Sequence, residues 1–259
     1  MRYILIMLIS AALITGCSKG WTPPRNPNPQ SILSDAEADA KAGKYADALA
    51  KQAWFYKNAL KYDSSEYGVR LSFALSDWIE LGKVYPPALE KLKSFRDEAE
   101  KNIRDDKNVR DNFSDFESIN EYLKEEAKTV DLFVWMDSNK PDSAKAVFDL
   151  AQPALVKSKQ YTLLGKYIQN PFSLYDNAVQ DYERNAELAK DPKFGKQVQD
   201  FGESKFKNET TTLIAILVVT DQKAVAEKIV EDLKKQPYLP KDDKQIQNAL
   251  NGEVPPPWP

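Results

Sequence analysis

The chain offers one thiol, no imidazole and many carboxylates. Cys17 is the sole cysteine among 259 residues, and histidine is absent. Without histidine there is no Ser-His-Asp or Cys-His activation of a nucleophile, no histidine-bound zinc and no imidazole base. Catalysis would have to rest on carboxylates, lysine or tyrosine. The pairs Asp105-Asp106 and Glu125-Glu126 are neighbours in sequence. Glycosidase-type chemistry instead needs two carboxyls converging across a cleft, about 5–9.5 Å apart. Solvated helix faces are therefore expected for both pairs, with no catalytic residue, no metal ligands and no cofactor. Cys17 is different. It closes an apolar run from Ile4 to Ile14 that is broken only by Ser10, a position suited to attachment of a lipid.

The N-terminus has the layout of a secretory signal peptide: Arg2, then the apolar run, then small residues. The run is shorter than the ~20 residues that cross a bilayer, and no clear A-x-A-like cleavage site follows it. The segment Leu13-Ile14-Thr15-Gly16-Cys17 resembles the lipobox of bacterial lipoproteins. That resemblance implies acylation of the Cys17 sulfur, cleavage before it, and acylation of the new amine. Residues 1–16 would then be the signal peptide and Cys17 the lipidated first residue. Two or more acyl chains anchor a protein stably, at about 0.8 kcal/mol per buried methylene. Ser18, not Asp, follows the cysteine; by the same resemblance this implies delivery to the outer membrane, facing the periplasm. The alternative is an incidental buried cysteine.

Acidic residues outnumber basic ones, 39 to 36, so no basic stripe for nucleic acid or anionic lipid is expected. No second cysteine exists for a disulfide, and stability must come from burial. Nine glycines are few for an all-β protein, and abundant Ala, Leu, Lys and Glu favour helix.

Residues 17–31 read as the lipidated cysteine and a proline-rich linker, extended and semi-rigid. Residues 32–251 read as a helical domain and residues 252–259 as a proline-rich tail. The expected helices cover 34–42 and 45–62, broken at Gly43; 63–81, stopping at Gly82; and 86–104. Others follow over 114–136, from 141 with Pro153 kinking or ending it, after Asn170-Pro171 and Asp191-Pro192, over 220–235 and near 245–250. Ser34-x-x-Glu37 and Ser114-x-x-Glu117 read as capping boxes. Leu213–Val219 is apolar and β-branched, but no second run of its kind could pair with it as a strand, so a buried helix is expected.

A turn signature recurs. Ala42-Gly43-Lys44-Tyr45-Ala46-Asp47-Ala48-Leu49 is echoed by Leu81-Gly82-Lys83-Val84-Tyr85-Pro86-Pro87-Ala88-Leu89, and more weakly near Ala144 and Ala226. With Asn58-Ala59-Leu60-Lys61-Tyr62-Asp63, this resembles a divergent tetratricopeptide repeat, clearest over residues 32–104. The spacing of Ala48 and Ala59 departs from the family pattern, and no proline follows Asp63. The expected fold class is all-α: stacked antiparallel helical hairpins, a TPR-like α-solenoid.

Trp54-Phe55-Tyr56 cannot share one narrow helix face. One ring could line a partner groove, or neighbouring hairpins could bury them all. Leu132, Trp135 and Phe148 are expected in a hairpin core. The tail Val254-Pro255-Pro256-Pro257-Trp258-Pro259 could dock in a groove of its own chain or of a partner, or fray. The expected function is non-enzymatic: a lipid-anchored scaffold or assembly factor. It would bind an envelope protein through Trp54, Tyr56 and Trp258, and the membrane through Cys17. A helical lipoprotein holding a small ligand or glycan in an aromatic-lined pocket is the alternative. A carboxylate-dependent cell-wall hydrolase is the third reading.

Overall fold

The computed structural model describes residues 20–193, 195–235 and 244–258. Residues 1–16, expected as a signal peptide, and Cys17 lie outside these residues, as does Pro259. Every regular element among the described residues is helical, and none is long and apolar enough to cross a membrane. The helical region falls into two compact units that meet in sequence at Leu92 and Lys93.

The first unit opens with α1 (Pro29–Lys41) and α2 (Tyr45–Tyr62). Helix α1 starts five residues before the expected capping box, because Asn28-Pro29 supplies an earlier start. The Asn28 side chain accepts from Ser31 N at 2.8 Å, and Pro29 takes the first-turn position where its missing N–H costs nothing. Ser34 and Glu37 therefore lie inside the helix. Its end is the expected one. Gly43 adopts φ +76, with Gly43 N bonded to Ala40 O and Lys44 N to Asp39 O, the Schellman arrangement that turns a helix through a left-handed residue.

The expected helix over 63–81 is broken into three pieces. Asp63 caps a 3-10 turn, Ser64–Glu66; then come α3 (Tyr67–Leu71) and α4 (Phe73–Val84). Ser72 makes the second break: its hydroxyl donates back to Gly68 O at 2.7 Å, and its backbone leaves the helical region. Gly82 does not stop α4. It is buried, and a Cβ there would lie 2.4 Å from the Leu89 side chain, so its role is close approach to α5 (Pro87–Arg104). Trp78 is fully buried and donates to Ala88 O at 2.8 Å. Tyr45 and Tyr85, each just beyond its helix turn, stack with centroids 5.9 Å apart.

The second unit contains the remainder of α5, then α6 (Val109–Leu123), α7 (Glu126–Asn139), α8 (Pro141–Lys157) and α9 (Tyr161–Tyr167). It continues with α10 (Pro171–Leu188), α11 (Gly195–Val219), α12 (Lys223–Leu233) and α13 (Lys244–Leu250). The expected single helix over 114–136 is two helices, because Lys124 takes φ +60 and Glu125 N bonds Asn120 O at 2.8 Å. Pro153 sits inside α8 without ending it. Asn170-Pro171 caps α10 as expected, with Ser173 N donating to Asn170 at 3.1 Å. Asp191-Pro192 opens no helix; α11 begins at Gly195. Residues 213–217 lie in α11 and are buried on all sides, with α9, α10, α12 and α13 packed around that helix. Phe113, Phe133, Met136, Leu155, Phe206 and Ile214 belong to one continuous core.

Candidate functional site

Three aromatic rings gather on α2 in the first unit. The α2 positions 54, 57, 58, 61 and 62 follow the spacing of one helix face. Trp54 is half-buried and packs against the small core of Phe55, Ala59 and Ala74. Tyr62, 56% exposed, lies 5.7 Å from Trp54 between ring centroids. The third ring comes from the linker: Trp21 meets Trp54 edge-on at 6.4 Å, and the Trp21 backbone N–H donates to Asp47 Oδ1 at 3.3 Å. The linker is thus held to α2 from Trp21 onward and does not act as a free spacer along its length. Tyr56, expected beside Trp54 as an anchor, is 7% exposed; its ring meets Trp78 edge-on at 6.0 Å and lies under the Arg70 guanidinium at 4.6 Å. It belongs to the interior, because it falls on the face of α2 that packs toward α4.

The second unit carries a cleft of about 480 Å³ lined by Glu117, Glu121, Glu126, Thr129, Pro153, Ala154, Lys157, Pro256, Pro257 and Trp258. Helices α6, α7 and α8 form its floor and sides, and the C-terminal tail forms a wall. The tail docks on its own unit. Gly252, at φ +81, redirects the chain after α13, and Val254 packs on the core. Asn208 on α11 donates to Pro256 O at 2.9 Å, and Trp258 meets Phe201 edge-on at 5.8 Å. Pro257 and Trp258 also line a second hollow of about 240 Å³ with Asp149, Asn208, Glu209 and Thr212. The tail therefore lies as a partition along a longer groove.

The carboxyls of the cleft are not equivalent. Burial pushes Glu117 up to about 7, with Glu121 one turn away adding to the effect and a hydrogen bond from Ser118 opposing it. For Glu126 burial also pushes upward. The hydrogen bond and charge of Lys157 outweigh it and hold the carboxyl below its ordinary value. At neutral pH the cleft thus presents a fixed ion pair on one side and a carboxyl that gives or takes a proton on the other. Beside it, Glu125 accepts from the buried Arg96 and lies 2.9 Å from Lys128. The adjacent pair Glu125-Glu126 ties α7 to α5 and α8 instead of forming a solvated face. Asp105 and Asp106 hold Lys107 and Lys140, at 3.2 and 2.5 Å.

No family model, curated protein or solved structure matches the chain. The site must be read from its own residues.

Trp54 and Trp258 both sit at surfaces where a partner could reach them, but on different units. Glu117 was missed in the sequence because it reads as the exposed third residue of a capping box. With α6 starting at Val109, it instead lies mid-helix, one turn from the core residue Phe113. The available signal was its place on the Phe113 stripe. Leu132 is in the core, as expected. Trp135 and Phe148 are half-buried beside it: Trp135 lies under Arg104 at 4.3 Å, and Phe148 stacks on Tyr167 at 5.2 Å.

Proposed function

We propose that this chain is a lipid-anchored protein of the bacterial envelope that works by binding, and that its second unit is a scaffold groove for an extended segment of another envelope protein. The observation that carries this reading is the tail. The groove already holds one extended proline-rich peptide, through a side-chain amide to a peptide carbonyl and an aromatic contact. It leaves about 480 Å³ open beside that peptide. Proline-rich segments suit such grooves because they are ordered before they bind.

We read the helical hairpins as a TPR-like stack, an arrangement that would suit the same function. Within each unit, the helix pairs in substantial contact are first or second neighbours in sequence, apart from α1 with α4, which the single-turn α3 separates. That is the pattern of a quasi-one-dimensional array. The stacked Tyr45 and Tyr85 occupy corresponding places in the two copies of the turn signature. Anchorage at Cys17 and an outer-membrane address facing the periplasm rest on the lipobox resemblance. Tethering would raise the local concentration of the partner at the membrane.

A small ligand or glycan in the same cleft is the second reading. It is favoured by the cleft's volume and by Glu117, Glu126, Thr129 and Lys157 converging there. Carboxylate-dependent hydrolysis keeps one of its requirements, a desolvated glutamate in a cleft. A photo-crosslinker at Glu121 in intact cells separates the three. Enriched adducts with one envelope protein are expected. Glycan adducts without a protein would select the second reading, and turnover of isolated cell wall that is lost in Glu117→Gln would select the third.

A further inference from the structure

We propose that the Trp21–Trp54–Tyr62 face of α2 seats on the lipid bilayer, so that the first unit lies against the membrane and is not held away from it; this rests on the lipid-anchor reading of Cys17. The geometry begins with the tether. Trp21 is pinned to α2 by its own ring and by its backbone N–H to Asp47, and four peptide units separate it from Cys17. At no more than ~3.6 Å per residue, the two Cα atoms lie within about 15 Å of one another whatever the intervening path. The headgroup zone of one leaflet is about 5–8 Å thick. Acyl chains on Cys17 therefore keep Trp21 within about 15 Å of the headgroups, a span short enough for this face to reach them.

The chemistry of the face fits that depth. Two indoles and a phenol are the rings that concentrate at membrane interfaces, where an apolar body meets a wet edge. On the same stripe of α2, Lys61 is exposed; its ammonium donates to Asn58 Oδ1 at 3.0 Å, and a lysine stem is long enough to offer that charge to phosphate. Tyr62 is 56% exposed, which leaves aromatic area at this end of α2 for lipid to cover. Trp21 also couples the two events. The residue that ends the tether is itself one ring of the seat, so anchoring and seating share one segment.

The test uses the full-length protein isolated from envelopes and reconstituted in phosphatidylethanolamine–phosphatidylglycerol vesicles with bromine-labelled acyl chains. Mass spectrometry of the N-terminal peptide first reports acylation at Cys17. Tryptophan quenching by the bromines is then compared between the natural protein and a W21F/W54F variant, whose phenylalanines preserve the packing. Most of the quenching is expected to disappear in the variant: of the three tryptophans that remain, Trp78 is fully buried, and Trp135 and Trp258 belong to the second unit and have no place in the proposed seat. An acylated protein whose quenching is equal in both forms overturns the seat while leaving the anchor in place. An unacylated Cys17 removes the anchor and the seat together. A photo-crosslinker at Lys57 is expected to yield lipid adducts; protein adducts in their place would assign the face to a protein and overturn the proposal.

Discussion

Glu117 links the cleft to global stability, and Glu117→Gln tests that link quantitatively. In the folded chain its carboxyl titrates at about 7, against an ordinary 4.5, chiefly because it is buried. The folded state therefore holds this proton more tightly than the unfolded chain does. Between pH 4.5 and about 7 unfolding releases the proton, so stability falls as pH rises through that window and the full penalty is present above it. At about 1.36 kcal/mol per pH unit, the penalty is on the order of 3 kcal/mol. Glutamine keeps the shape and the acceptor for Ser118 but never ionises. In urea unfolding at a series of pH values, the variant should match the natural protein near pH ~4. It should exceed it by on the order of 2–3 kcal/mol near pH ~8. Titrating groups that do not interact with Glu117 cancel in that difference. A difference that stays flat with pH would refute the claim that Glu117 is desolvated. Glu121→Gln gives a second reading of the same site. Removing the neighbouring negative charge should move Glu117 downward in a carbon-13 titration.

The turns provide a second set of outcomes. Lys124→Gly and Lys159→Gly should each raise unfolding free energy by roughly 0.5–1 kcal/mol, because both residues hold φ near +60 and glycine does so without the Cβ conflict; Gly43→Ala should lower it by about 1 kcal/mol. Gly82→Ala forces a methyl to within 2.4 Å of Leu89 and should cost about 1–3 kcal/mol, a loss that G82A/L89A should reduce in thermal melts. Deleting residues 254–259 removes the contacts of Trp258 and Pro256 with α11 and should lower the melting temperature by a few degrees, ~2–4 °C per kcal/mol lost; an unchanged melt would mean the tail is bound without net stabilisation. Cys17→Ser should release the protein from membrane pellets into the soluble fraction, as followed by immunoblotting.

What the sequence made legible was the chemistry that local residues decide alone. Asn170-Pro171 capped its helix because both the side-chain acceptor and the fixed proline φ are local properties. Gly43 marked its turn for the same reason. Leu213–Val219 was assigned to a helix by elimination, since a strand needs a partner and none was available. Packing decided the rest. Ser34-x-x-Glu37 and Ser114-x-x-Glu117 satisfy the capping-box pattern, yet both lie inside helices that begin earlier. The pattern states that a start is possible there, and burial of Ile32 and Phe113 on the preceding turn makes an earlier start better. The same error hid Glu117, the most perturbed carboxyl of the cleft.

The fading of the repeat signature after residue 104 has a structural explanation. Six helix ends share one hydrogen-bond arrangement: at Gly43, Asp106, Lys124, Lys159, Asp221 and Gly252 the residue takes positive φ, and the next N–H reaches back five residues. Only two of the six are glycine. Of the four places where the signature recurs, Gly43 and Asp221 use this turn while Gly82 and Lys140 do not, so a signature built on Gly43-Lys44-Tyr45 does not track the turn along the sequence. Lysine or aspartate at a left-handed position costs about 1–2 kcal/mol, a strain borne only where the helices on both sides are well packed. Lys124 is such a case: α6 and α7 are joined across it by Asn120 donating to Thr129 at 3.1 Å, with both residues buried. The same turn places Glu125 against Arg96 and Glu126 against Lys157, and so fixes one side of the cleft. A glycine at Lys124 should thus stabilise the fold and leave the cleft unchanged. If it instead loosens both ion pairs, the turn was holding the site through its backbone strain, and the packing on either side was not sufficient.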